Sequence, residues 1–465
     1  MHEVRSIGSR LELFVDDYLI DSLKGVSLQL QRPQHAGIAV AFDERWEGLF
    51  SGCITTIKDG DRYLMYYRGM PGTGDGSGVE STCLAISLDG IHWDKPRLGL
   101  VEYDGSRENN IILRHRPASH NFTPFLDQCP GVPESERFKA FAGIHPDGLL
   151  AFASPDGIHW RLMQDAPVVT SEPFAFDSMN VAFWSEPEGC YVLYYRTWRQ
   201  RTTPDGTINY RWVSRVTSDD FLHWSSPEEM DDGDAPTEQI YTQQTHPYCR
   251  APHIYLALAA RFWEGRQVVS DGQAASIGVH PDYCHDCSDA VLMTSRGGSR
   301  YDRTFLKSFL RPGPGLNNWV SRTNYPGLGI VPTAPEEMSF YVHRHYASPS
   351  AHAARYTLRT DGFTAVNASY HGGSMTTLPL TFSGSRLVLN YSTSTAGGVR
   401  VEVQDKSGKP ILGYTFDESD PMIGDEIEGV ATWGSQADVG KFSGQPVRLC
   451  FEMKDADLYS IRFRD

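Results

Sequence analysis

SLDGIHW, Ser87 to Trp93, and SPDGIHW, Ser154 to Trp160, are one heptapeptide written twice, with a single difference, in the first 160 residues of the chain. Ser, Asp and Gly in this order make a tight turn, because the short polar side chains bond the local backbone and glycine accepts the left-handed conformation. The closing aromatic has to pack on something. Loosened slightly, the pattern returns as TSDDFLHW from Thr217 and, degenerate, as RTDGF from Arg359. Asp89, Asp156 and Asp219 are therefore read as turn formers, and the tryptophans as packing between repeated modules.

The repeat is larger than the turn. Ahead of the copies lie strand-like segments ending in or near a basic residue: RYLMYYRG (62–69), RFKAFAG (137–143), CYVLYYRTW (190–198) and SFYVHRHY (339–346), with IYLALAARFW from Ile254 as a further member. Ahead of those come short runs suited to buried strands, GCITTI, TPFLD, NVAFW, YTQQTHPY and GLGIVPT, joined to the second strands by polar hairpins at Lys58, Pro133 and Ser185. A unit of roughly 50 to 70 residues with about four strands is a propeller blade. Five units fit, over 38–100, 101–165, 166–230, 231–320 and 321–368. The fourth has TSRGGSRYDRTF in place of the turn. From Ser369 the texture changes to alternating segments such as RLVLNYST and PVRLCFEM broken by Gly-rich turns, a β-sandwich pattern. The expected fold is all-β: a five-bladed β-propeller over 1–368, with LELFVDDYLI (11–20) closing it or padding its edge, then a jelly-roll-like β-sandwich over 369–465.

Composition agrees. The 22 Tyr, 22 Phe and 10 Trp suit β structure and sugar-facing surfaces, and 43 Gly with 28 Pro break the chain into short elements. A formal charge of −16 excludes nucleic acid and anionic membranes as expected partners, since there is no basic surplus to neutralise phosphates. The acidity suits ordinary bacterial solubility. No signal-peptide pattern or long apolar stretch is present in the sequence as given, so the expectation is a cytoplasmic protein. Homo-oligomer formation stays open. No cofactor is expected. His280, Cys284, His285 and Cys287 are either zinc ligands or loop thiols; CHDC lacks the two-residue spacing of a cysteine knuckle, and no metal is assigned.

If the hairpin after each inner strand lies at the bottom, residues starting the inner strands lie at the top, around the central funnel. The long loops after the second strands, GMPGTGDGSGVES (69–81), RQRTTPDGTINY (199–210) and Trp263 to Asp289, share that end. On this reasoning Glu47, with Glu44 nearby, Asp127 and Asp177 converge from three successive blades. Two carboxyl groups serve attack at an anomeric carbon and protonation of the leaving oxygen, and a third tunes them.

Five blades, SxDGxxW turns, one acid per early blade and a trailing β-sandwich resemble the five-bladed glycoside hydrolases of the fructofuranosidase and arabinanase type. The resemblance implies that Glu47 is nucleophile or base, Asp127 the transition-state stabiliser and Asp177 the acid. FLDQCP (125–130) is similar to the second-blade Arg-Asp-Pro motif, with Leu126 in place of the Arg and an insertion before the Pro. The first-blade Asn-Asp-Pro-Asn signature is absent, and Asp177-Ser178 replaces Glu-Cys, which points away from sucrose and fructans. The implied activity is a glycoside hydrolase acting on a plant, algal or microbial oligosaccharide.

Arg68, Arg196 and Arg261 end second strands and are placed at the top, where His246, Arg250 and His345 join them. Such cations either bind an anionic sugar or hold the acids ionised. Trp46, Trp198 and Trp263 are candidates for stacking on sugar faces. Two other readings remain: a sialidase-like propeller, whose Asp-box has one more residue between Asp and Gly, and a carbohydrate-binding propeller without turnover.

Overall fold

The computed structural model describes residues 3–72, 79–170, 175–203 and 206–465. Parts of two expected rim loops, 73–78 and 204–205, lie outside the described residues. The chain divides into two compact units, one of 33–334 with 338–357 and one of 1–32 with 335–337 and 358–465.

The first unit is a five-bladed β-propeller. Blade 1 runs Gly52–Asp59, Arg62–Gly69, Ser81–Ser87 and Ile111–Leu113, each strand antiparallel to the next. Blade 2 is Thr123–Leu126, Phe138–Ala142, Leu150–Ser154 and Arg161–Leu162, and blade 3 is Val181–Ser185, Cys190–Thr203, Gly206–Ser218 and Glu228–Glu229. In blade 4 the inner strand is split into Gln239–Thr242 and His246–Tyr248, both paired with Ala251–Trp263, which in turn pairs with Cys287–Ser295. Blade 5 places Tyr325–Pro326 and Val331–Ala334 against Glu337–Arg344, followed by His352–Arg359. Its outer strand comes from the other end of the chain: Gln34–Ala41 pairs with His352–Arg359 and closes the ring. Second strands such as Arg62–Gly69 are buried almost throughout, because both faces of a blade pack on neighbouring blades, and this is why RYLMYYRG reads as continuously apolar and aromatic.

The repeated heptapeptide is the turn after the third strand. In the first two copies Ser Oγ accepts from the glycine amide, while Asp Oδ1 accepts from the next two amides and Oδ2 bonds the histidine Nδ1 at 2.7 Å. Each tryptophan packs toward the preceding blade: Trp93 on Tyr341, Trp160 on Tyr66 and Trp224 on Phe141. In the third copy the aspartate that accepts these bonds is Asp220, not Asp219, and Phe221 takes the glycine position at φ +69°. Gly157 cannot be replaced so freely. Its φ is +75°, and an added Cβ would lie 2.5 Å from the Tyr66 hydroxyl, which donates to the Gly157 carbonyl at 2.8 Å.

The second unit is the expected β-sandwich, with different limits from the expected 369–465. Residues 1–32 belong to it because Arg5–Gly8 pairs with Leu380–Phe382, Ile20–Lys24 with Gly373–Thr377, and Val26–Leu30 with Thr364–Ala368. LELFVDDYLI therefore does not pad the propeller; Phe14 and Leu19 are buried in the sandwich core with Trp433, Phe451 and Phe463. RTDGF likewise belongs to this unit, where Asp361 accepts from Asn390 and Ser460 instead of closing a blade. Two long strands, Arg386–Asp405 and Val447–Arg464, pair along their length with a register shift between Thr393 and Gly398. Tyr459 carries the Arg359 guanidinium 5.0 Å from its ring centroid, and Trp433 is buried with its Nε1 donating to Val401 O, so both have structural employment.

Candidate active site

All five blades line a narrow cavity at the end of the funnel where the inner strands begin. Cys53 and Ile54 of blade 1, His120 and Asn121 ahead of blade 2, Asp177 to Met179 ahead of blade 3, Tyr241, Thr242 and Gln244 of blade 4, and Tyr325 and His343 of blade 5 face it. Arg68, at the upper end of blade 1's second strand, and Arg322, ahead of blade 5, supply positive charge. The lining backbone is strained in a recurrent way, with Cys53, Gln244 and Arg322 all at φ between 51° and 56°. Non-glycine residues hold this conformation only where the surrounding structure enforces it, which occurs preferentially at functional sites.

Asp177 stands on the most constrained of these turns. Phe176, before it, has φ +70°. Buried Asn121 donates from Nδ2 to the carbonyls of Phe176, Ser178 and Gly143, and Asn180 reaches the first two as well. Ser178 Oγ donates to Tyr241 O, tying the turn to the next blade. The carboxylate that emerges accepts from Arg196 Nη2 at 2.6 Å, and its other oxygen lies 3.3 Å from His120 Nε2. His120 Nδ1 lies 3.3 Å from Glu80 Oε1, so Glu80, His120, Asp177 and Arg196 form one continuous polar chain.

Burial alone would raise the Asp177 pKa, but the hydrogen bond from His120 and the charge of Arg196 outweigh it, and the carboxyl is held well below the usual carboxylate range. His120 is opposed by its own burial and by Arg68, yet its bonds to Asp177 and Glu80 raise its pKa above the ordinary value. His343 is the opposite case: burial, then the positive charge of Arg68, push it down to about 3. The cavity thus holds an ionised aspartate, a histidine that favours its proton and a neutral histidine. His343 Nε2, Tyr325 OH, Thr242 Oγ1 and Gln244 Oε1 are buried and have no hydrogen-bond partner among the described residues. Buried polar atoms in native structures are nearly always paired, so four unpaired ones on residues around one cavity are unusual.

Of the three acids expected here, only Asp177 is in place. Glu47 is buried away from the cavity: its carboxylate accepts from Tyr67 OH at 2.6 Å, Lys95 Nζ at 2.7 Å and the Glu44 amide at 2.9 Å. Asp127 lies at the opposite end of the funnel, because it follows the inner strand of blade 2 instead of preceding it. There it pairs with Lys139 and accepts from Tyr191 OH at 2.7 Å, while Lys139 Nζ sits 5.6 Å from the ring of Phe221 in the third heptapeptide turn. This pair is structural. Lys139→Met is expected to strip a buried carboxylate of its counter-charge and cost about 3–5 kcal/mol, read as a lower denaturant midpoint with unchanged slope. A loss under about 1 kcal/mol would contradict that role.

Among the expected binding residues, Arg68 faces the cavity and Arg196 holds Asp177. Arg261 does not join them; it is bound bidentately by Asp289 and also by Glu238. Arg250 is in the hairpin between His246–Tyr248 and Ala251–Trp263, at the bottom. His246 comes late in its inner strand, with Nδ1 2.8 Å from Gln244 O, and is not part of the cavity lining. His345 is likewise outside it, with Nδ1 on Ser350 and Nε2 on Asn318. Trp46 is buried, its Nε1 donating to Asn110 at 2.7 Å, while Trp198 and Trp263 are partly exposed and carry Arg211 and Arg266 on their rings. RQRTTPDGTINY is largely strand, an extension of the second and third strands of blade 3. Missing from the expectation were Glu80, His120, Arg322 and His343.

No family model and no curated protein matches the chain. Its likenesses are to solved structures. One, described as a glycoside hydrolase, is 12% identical over 70% of this chain and 92% of its own, with a TM-score of 0.46. An N-acetylgalactosamine deacetylase from F. plautii in complex with blood group B trisaccharide is 14% identical, covering 72% and 96%, with a TM-score of 0.46. A fructofuranosidase from Schwanniomyces occidentalis complexed with fructosylnystose is 9% identical, covering 92% and 96%, with a TM-score of 0.42.

Proposed function

We propose that the protein is a glycoside hydrolase that cleaves a negatively charged oligosaccharide in the propeller funnel. The observation that carries this reading is the Glu80–His120–Asp177–Arg196 chain at the edge of the funnel cavity. Asp177, ionised and fixed by Arg196, is the carboxylate that attacks the anomeric carbon or takes a proton from the attacking water. His120, whose protonated form the two flanking carboxylates favour, gives its proton to the leaving glycosidic oxygen. The roles thus differ from those the family resemblance implies, in which Asp177 is the acid: a carboxyl group held ionised has no proton to give.

Charge supports the choice of substrate. Arg68 and Arg322 line the cavity, and a contiguous rim cavity adds Arg114 and Arg116, against the two carboxylates Glu80 and Asp177. A uronic acid or sulfated sugar satisfies such guanidinium groups with bidentate, charge-assisted hydrogen bonds. Purified protein is expected to release reducing ends from uronate-containing or sulfated oligosaccharides and to leave neutral counterparts of the same linkage at least ten times slower, a difference of about 1.4 kcal/mol. Equal rates on both overturn the anionic substrate; binding of these glycans with no turnover overturns the hydrolase and leaves a lectin.

A further inference from the structure

The connection between Trp263 and Cys287 in blade 4 carries the chain over the rim through a helix, Asp271–Ser276, and a short turn, Pro281–Tyr283. The helix start is secured by a capping box between Ser270 and Gln273. Cys284 is buried beside it, and Asp271 and His285 converge on its sulfur. Cys284 Sγ lies 3.8 Å from His285 Nε2 and 3.7 Å from Asp271 Oδ1, and these last two atoms are 3.5 Å apart. A tetrahedral zinc ion with ordinary Zn–S, Zn–N and Zn–O bonds holds such ligand atoms roughly 3.4–3.6 Å from one another. The three ligand atoms are thus close to the spacing a zinc ion needs, and since both His285 ring nitrogens now stand at similar distances from the sulfur, 4.0 and 3.8 Å, a turn of that exposed ring is what would aim Nε2 at the ion.

We propose that Asp271, Cys284 and His285 bind a zinc ion that clips this rim connection, with water as fourth ligand. Thiolate and imidazole together select zinc over magnesium or calcium, which take oxygen ligands. The ligand set differs from the Cys/His group that the sequence suggests. Cys287 is buried in the third strand of blade 4 opposite Trp263, and His280 packs its ring on Phe50 and Tyr283. The clip would act on the rim through Tyr283, next to Cys284, which lines the rim cavity and stacks under the Arg322 guanidinium at 5.0 Å. The inference is independent of the hydrolase reading.

The test uses the full chain, stripped with a chelator and titrated with Co²⁺, whose thiolate complexes show a near-ultraviolet charge-transfer band. One equivalent is expected to saturate that band, and Zn²⁺ to abolish it by displacement. Cys284→Ser should lose the band, and Cys287→Ser should keep it. His285→Ala, at an exposed position that folding does not need, should weaken zinc binding on the order of 100-fold in competition with a chromophoric chelator. No cobalt band in the wild-type chain, a band that depends on Cys287 instead of Cys284, or unchanged zinc affinity in His285→Ala would each overturn the site.

Discussion

Asp177→Asn is expected to lower kcat on any cleaved glycoside on the order of 10³-fold or more, about 4 kcal/mol of barrier, whatever the leaving group. Attack at the anomeric carbon is needed whether the departing oxygen belongs to a sugar or to an activated phenol, and an amide neither attacks nor accepts a proton from water. Asparagine keeps a carbonyl oxygen for Arg196 Nη2, so the turn from Phe176 to Ser178, held by Asn121 and Asn180, should stay folded. Thermal unfolding of the variant within a few degrees of wild type would separate lost chemistry from lost structure. A variant that retains a tenth of wild-type activity on both kinds of substrate would remove Asp177 from the reaction. Because the carboxyl is ionised well below the usual range, wild-type activity should show no acid limb between pH 5 and 7 from this group.

The blade repeat was legible because its physics is local. SxDG closes a turn through bonds within seven residues, and a tryptophan after it has to find a neighbouring module. Asp177 and Arg68 were legible for a related reason: strand direction places the residue before an inner strand and the residue ending a second strand at the same end, whereas Arg196 reaches that end from the middle of a strand that runs on to Thr203. That rule, applied to blade 2 with its strand starting at Thr123, selects His120 and Asn121 and sends Asp127 to the other end. A four-residue strand is too short for an error of its own length to be harmless. Glu47 fails differently. The turns from Glu44 to Ser51 fold the chain back before Gly52, and Lys95, distant in sequence, captures the carboxylate. Nothing within Glu47's neighbourhood announces that partner. The sandwich limits failed because residues 1–32 pair with strands more than 300 positions later, and such pairings leave no local periodicity to read.

Replacing His120 should divide substrates by leaving group, as Asp177→Asn should not. His120→Asn is expected to cost roughly 10²- to 10³-fold on natural glycosides, whose leaving oxygen needs a proton, and under about tenfold on an aryl glycoside with an acidic phenol. The pH profile gives a second, independent sign. With its folded pKa raised above 6.5, His120 keeps the catalytic proton to higher pH than a free imidazole and loses it as pH rises through that folded value, so kcat/KM should fall on the basic side with an apparent pKa above 6.5. The same charge stabilises the native state fully below about pH 6.5, and that contribution fades over the same basic rise. Glu80 supports the proton from the far side of the ring through its contact with Nδ1. Glu80→Gln should therefore move the basic limb toward lower pH while leaving the maximal rate on an activated aryl glycoside nearly unchanged, which a merely structural glutamate would not do. If the limb stays in place in Glu80→Gln, or if His120→Asn slows both substrate types equally, the proton reaches the leaving group from a residue other than His120.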